Sequence, residues 1–188
     1  MNKKELRSAA IRARAGLSHA VREAASRAIC ERLWALPELR DAGVIFSYLA
    51  MPEEADLEAL HGRLRAMGKT VAFPVTGKNG AMEAYAPDEG LRFTRDRFGI
   101  LTPVTDAARR IDPAEIDLVL TPCVAFDSAC RRLGHGGGYY DRYFPRCPQA
   151  LRICAAFEVQ RLPAIPAEPW DAAMHAVVTE AGIYRAKK

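Results

Sequence analysis

The chain has 188 residues, 49% of them hydrophobic, with 27 basic and 23 acidic residues giving a formal charge of +4. Such a length buries a substantial core as one domain, 1–188, and acids are interleaved with bases in stretches such as VREAASRAICER and RFTRDRF, so the one-signed face of a nucleic-acid binder is not expected. No apolar run is long enough to span a membrane; the start, MNKKELRSAAIRARAGLS, lacks the apolar stretch and cleavage site of a secretory signal, so a cytoplasmic location is expected.

In chain order, residues 3–15 read as a helix stopped by Gly16. Ser18 is placed to cap a second helix whose apolar stripe steps through Val21, Ala25, Ile29 and Leu33 and which Pro37 closes. GVIFSYL (43–49) has strand character. Asp56 is positioned to cap a helix carrying Leu57, Leu60, Leu64 and Met67, with Gly68 past its end, and KTVAFPV (69–75) follows as a strand. Strand, crossover helix and strand form the unit of a parallel sheet. AMEAYAP (81–87) reads as an exposed strand, residues 88–112 as long surface loops, and IDLVLTP (116–122), LRICAAF (151–157) and HAVVT (175–179) as further strands, the last two separated by the proline-rich RLPAIPAEPW. The expected fold class is α/β, with helices on both faces of a mostly parallel sheet.

The five cysteines make no C-x-x-C pair and are odd in number, which argues against both a zinc site and a disulfide framework. Cys30 falls in a helical pattern and Cys154 in a strand-like one, as small core residues do. Cys123 has no histidine in a recognisable relation to it that would make it a nucleophile.

The chemistry concentrates in RLGHGGGYYDRYF, Arg132 to Phe144, where Gly134, Gly136, Gly137 and Gly138 surround His135 and run directly into a helix-like start. Strand, glycine-rich loop and helix start make a phosphate seat in α/β proteins, because bare backbone N–H groups can face an anion. Arg131 or Arg132 would add charge. The loop lacks the Gly-Lys-Ser/Thr ending of a Walker sequence, and it opens too late after its strand for a dinucleotide fingerprint. Asp141 is either a magnesium carboxylate beside bound phosphates or a first-turn aspartate stabilising its helix. Lys3 and Arg7, four apart on one helix face, either meet phosphates or stay solvated. On the residues alone the glycine cluster is either a phosphate seat or a tight turn that binds nothing, and an isomerase or acyl-CoA transferase taking a phosphorylated small molecule and a nucleotide- or nucleic-acid-binding module without catalysis both stay open.

Taken with TPCVAFD before it, RLGHGGGYYDRYF resembles the signature of the 5-formyltetrahydrofolate cyclo-ligase family. The resemblance extends through Lys3 and Arg7, YLAMPEEAD, the FPV strand and WDAAMHAVVTE. It implies a three-layer αβα fold like that of sugar-phosphate isomerases and CoA transferases, and a monomer is expected. It also implies closure of 5-formyltetrahydrofolate to 5,10-methenyltetrahydrofolate with ATP and Mg2+, releasing ADP and phosphate. Lys3, Lys4, Arg7, Arg132, Gly134, His135, Gly136, Gly137, Gly138, Tyr139 and Tyr140 would then contact ATP, and Leu49, Glu54 and the stretch His135 to Tyr139 the folate. Asp141 and Asp171 would carry magnesium, and Arg132 and Tyr139 would bear on the reacting groups. His135 is expected to be a loop donor, since no acid nearby in sequence orients it. Two departures stand out: Cys130 occupies a position where the family usually has glycine, and His175 replaces the second aspartate of a D-x-x-x-D arrangement.

Overall fold

The computed structural model describes residues 2–96 and 99–186. Helix α1 (Lys3–Ala15) is capped by Asn2 and ends at Gly16. Ser18 caps α2 (His19–Trp34), its side chain accepting from the Val21 amide. The helix stops at Ala35, and Pro37 opens a short helix of its own, α3 (Pro37–Asp41), because proline suits a first helical turn, where its missing N–H is not needed. The first turn of α2 is exposed and Val21 with it, at 50%, while Ala25, Ile29 and Leu33 are buried as expected.

Strand β1 (Val44–Phe46), α4 (Glu58–Ala66) and β2 (Thr70–Thr76) form the expected parallel crossover. Leu57, only 1% exposed, takes the N-cap position of α4, so Asp56 acts one residue earlier than expected, accepting from the Glu58 amide. Met67 falls past the helix end and faces water. β3 (Met82–Pro87) is not an exposed strand: it pairs on both sides and buries Met82 and Ala84. The stretch expected to be loops holds the hairpin β4 (Phe93–Arg95) and β5 (Leu101–Pro103) and the edge strand β6 (Ala108–Ile111). The charges that read as loop are the solvent side of that edge: Arg109 pairs with Glu115 and Arg110 with Glu83.

Strand β7 (Leu118–Thr121) returns to the centre. β8 (Ala125–Asp127) and β9 (Arg132–Leu133) form a hairpin that leads into the glycines and α5 (Tyr139–Tyr143). β10 (Leu151–Ala155), β11 (Arg161–Leu162), β12 (Ala176–Val178) and β13 (Ile183–Arg185) complete the described strands, so the HAVVT segment is followed by one more, antiparallel to it. The large sheet runs β13-β12-β10-β7-β1-β2-β3-β6, and its five central strands β12, β10, β7, β1 and β2 are parallel.

Alternation along these strands divides the core. Ile45, Val71, Phe73, Leu118, Leu120 and Ile153 face α2, α3 and α4. Phe46, Ala72, Val119, Cys154 and Val177 face the other way, onto Tyr143 and Phe144 at the end of α5 and onto Phe126 and Cys130 of the hairpin. Helices thus lie on both sides, but on the second side α5 is short and much of the cover is hairpin; α1 packs outside it through Leu6 and Ala10 on Val124, Ala125, Leu133 and Ile165. From β1 the chain moves one way to β2 and later the other way to β7, β10 and β12. The β1/β7 boundary is therefore a topological switch point, where the loops leaving the two strands diverge and open a crevice.

Candidate active site

Two loops leave the carboxyl ends of β1 and β7. The first carries Leu49 and Glu54. Glu54 is buried, its side chain 3% exposed; one carboxylate oxygen accepts from the Met51 amide at 3.0 Å, and the other lies 3.4 Å from His135 Nε2. His135 has no acid near it in sequence, but the fold brings Glu54 to it from 81 residues away. Leu49 is half-buried against the helical side of the core.

The second loop runs through the β8–β9 hairpin to the glycines. Gly136 (φ 104°) and Gly138 (φ 65°) adopt backbone that side chains resist. A Cβ on Gly137 would lie 2.9 Å from the Tyr139 ring. The loop's carbonyls are tied back: Gly134 O accepts from Arg7 Nε at 2.8 Å, and Gly137 O from Arg142 at 2.6 Å. Its amides are free: no N–H from Gly134 to Gly138 donates to an acceptor among the described residues. A run of amides turned away from the protein is a seat for an anion. With only five residues in α5, that seat rests on the loop and its arginines and owes little to a helix dipole.

Arg132 lies at the base of the loop, its side chain 5% exposed. It reaches Asp141 at 3.3 and 3.4 Å and Pro122 O at 3.4 Å, all long bonds, and its Nε has no partner. The guanidinium also faces the Tyr140 ring, 5.3 Å from its centre. Burial pushes the Tyr140 hydroxyl pKa far up, with the Arg132 charge opposing, so Tyr140 stays neutral. Tyr139 is half-buried, with Arg142 over its ring.

On α1, Lys3 and Arg7 share one face as expected: Lys3 binds Asp171 at 2.5 Å and Arg7 holds the glycine loop. Lys4 points to solvent and is not brought to the loop. The same stripe holds Arg14, which sequence reading missed. It is 4% exposed, with one 3.5 Å bond to Cys123 O, Glu53 at 3.9 Å and an unpartnered Nε. Its spacing of seven from Arg7 was the available signal, two helical turns further along.

Burial works against ionisation of Asp171, but Lys3, the Glu168 amide and the Arg132 charge outweigh it and hold the carboxyl below its usual range. Asp141 and Asp171 therefore both lie in the field of Arg132, and each keeps carboxylate lone pairs to spare. Magnesium takes one or two carboxylates together with substrate phosphates and waters, and that donor set suits it. His175 is not part of it: its Nδ1 accepts from the Arg152 amide, and burial and the Arg152 charge lower its pKa. Cys130 adopts φ 61°, where glycine is the comfortable residue, at a cost of about 1–2 kcal/mol, and still makes the turn: its N–H donates to Asp127 O and its carbonyl accepts from Met174. Cys123 is buried near the crevice and its pKa is pushed well up, mainly by burial, which leaves it a thiol.

A switch-point crevice with free loop amides, two under-bonded guanidiniums and a buried carboxylate is the site of an α/β enzyme, with a surface that can seat an anion. The chain belongs to the 5-formyltetrahydrofolate cyclo-ligase family, whose model matches residues 1–180. It is 29% identical over 175 residues to the 5-formyltetrahydrofolate cyclo-ligase of Haemophilus influenzae, covering 90% of this chain and 92% of that one. With the enzyme of the same name from Mycolicibacterium smegmatis identity is 31% over 188 residues, covering 95% and 93%. The NMR structure of Aquifex aeolicus 5,10-methenyltetrahydrofolate synthetase superposes with a TM-score of 0.87 at 29% identity, over 100% of this chain and 94% of that one. The Mycoplasma pneumoniae synthetase shares the fold, with a TM-score of 0.77 at 23% identity, over 96% and 99%.

Proposed function

We propose that the chain, acting as one domain, closes 5-formyltetrahydrofolate to 5,10-methenyltetrahydrofolate with ATP. The observation that carries this is the glycine loop, with its carbonyls bonded back to Arg7 and Arg142 and its amides free. Those amides, with Lys3, Arg7 and Arg132, hold the triphosphate, while Glu54, Leu49 and Tyr139 receive the pterin. Asp141 and Asp171, both near the Arg132 charge, would hold Mg2+, which supplies charge neutralisation for the phosphates.

The formyl oxygen attacks the γ-phosphorus and ADP leaves. N10 then attacks the formyl carbon and loses its proton, and the C–O bond breaks to release phosphate. Phosphoryl transfer asks the protein for positioning and charge stabilisation more than for covalent chemistry, and effective molarities of well-held reactants can reach the order of 10⁵ M. Arg132, buried and under-bonded, is suited to charge building on the transferred group. His135, beside Glu54, is suited to take the N10 proton.

The test is direct. Purified protein, 5-formyltetrahydrofolate and Mg-ATP should give the methenyl product, followed by its absorbance, with one ADP per product. A folded protein that yields neither rules the activity out.

A further inference from the structure

Trp170 is 71% exposed, ahead of Met67 at 56% among the large apolar side chains at the surface. The backbone beneath it is fixed. Asp171 N–H donates to Glu168 O at 3.0 Å, closing a turn with Pro169 and Trp170 at its corners, and Glu168 N–H donates to the Asp171 carboxylate at 2.7 Å. Proline presets the first corner of such a turn. The same carboxylate oxygen takes Lys3 of α1. On either side, Ile165 N–H donates to Asp127 and Met174 N–H to Cys130 O, both on the hairpin that delivers the glycine loop. The other tryptophan, Trp34, packs against the core beneath the Arg63 guanidinium, 4.0 Å from its ring centre.

An indole held out in water by a pinned turn presents a flat face to a flat partner. Helix α1 serves as a ruler for which partner. Lys3 and Arg14 are separated by about 16 Å along its axis at 1.5 Å per residue. The Arg14 end meets Glu53 and Cys123, next to Glu54 and the pterin side of the crevice. The Lys3 end meets Asp171 and so the Trp170 turn. Trp170 therefore stands beside Asp171 and Lys3, the pair that the proposed function places at the phosphates.

We propose that Trp170 is the stacking platform for the purine base of the nucleotide, which rests on the function proposed above. Stacking is tolerant of base identity, since every base offers a π-face, so Trp170 sets the affinity for purine nucleotides without selecting adenine over guanine.

In a Trp34→Phe background Trp170 is the sole tryptophan, and its fluorescence should be quenched saturably by Mg-ADP. By calorimetry, Trp170→Ala should weaken Mg-ATP and Mg-GTP alike, by about five- to a hundredfold, with 5-formyltetrahydrofolate affinity unchanged, and Trp170→Phe should stay within a few fold of wild type. Wild-type ATP affinity in Trp170→Ala, or no quench in a Trp34→Phe protein that binds ADP, overturns the stacking role while leaving the proposed activity intact. Weakening of folate instead of ATP moves Trp170 to the pterin and overturns it equally. A wild-type protein that binds no ATP at all defeats the parent activity, and the stacking role with it.

Discussion

Glu54 is a carboxylate buried to 3% exposure with only a backbone amide and a half-exposed imidazole for company. A folate pterin offers N–H donors to such a group, and a charged acceptor contributes more than a neutral one, about 1.5–3 kcal/mol per hydrogen bond. Glu54→Gln keeps the size and an oxygen for the Met51 amide, and loses the charge. The KM for 5-formyltetrahydrofolate should rise about tenfold, as loss of roughly 1.4 kcal/mol of binding implies, with the KM for ATP within twofold. Steady-state kinetics with each substrate varied in turn decide it: equal changes in both constants would assign Glu54 to the architecture of the loop. The sequence made Glu54 and His135 visible as separate candidates through a resemblance. It could not join them, because their contact spans 81 positions and depends on how two strand-end loops meet. Arg14 went unnoticed because a buried guanidinium looks in sequence like the solvated arginines around it.

At the scale of elements, α4 is fastened to the end of β1 by a buried pair: the His61 ring lies 2.7 Å from Ser47 Oγ and edge-on to Phe73. Burial, aided by the charge of Arg65, lowers the His61 pKa to about 3. In the unfolded chain the same group titrates near 6.5, so on acidification the unfolded state takes the proton first. Stability from this group is complete above pH ~6.5 and drains away down to about pH 3, with a slope approaching ~1.4 kcal/mol per pH unit. Urea midpoints across pH 7 to 4 should fall more steeply for wild type than for His61→Gln; parallel curves would mean that His61 titrates normally in the fold. Local pattern made the parallel crossover legible, since β1 and β2 are short apolar runs and α4 carries a buried stripe at helical spacing, with recognisable stops between them. It misjudged residues 88–112, because an edge strand held by long-range pairing and studded with paired arginines carries the composition of a loop.

For the whole molecule, α1 is the piece that closes the crevice. It is held to the hairpin layer by Leu6 and Ala10, to the glycine loop by Arg7 and to the Trp170 turn by Lys3. The Lys3–Asp171 ion pair is part-exposed and contributes about 0–1 kcal/mol to folding, and the Arg7 bond to Gly134 O about 0.5–1.5 kcal/mol. Lys3→Ala combined with Arg7→Ala should therefore shift the thermal midpoint by only a few degrees while raising the KM for ATP and lowering kcat. Added salt should weaken ATP binding to wild type more steeply than to the double variant. If affinity and salt response match wild type, α1 only packs. The strand order that creates the switch point could not be read from the sequence, since nothing local tells the chain to reverse direction after β6; the fold class could, because the buried parallel strands announce themselves.

All five cysteines are buried, and burial raises the pKa of Cys30 and Cys130 to about 11. In the native state an alkylating reagent or peroxide therefore meets no exposed sulfur, and each becomes reactive only when the element around it opens. Cys30 lies in α2, Cys130 in the hairpin turn and Cys154 in the central sheet, so the order in which thiols are labelled under mild denaturant is a map of which layer lets go first.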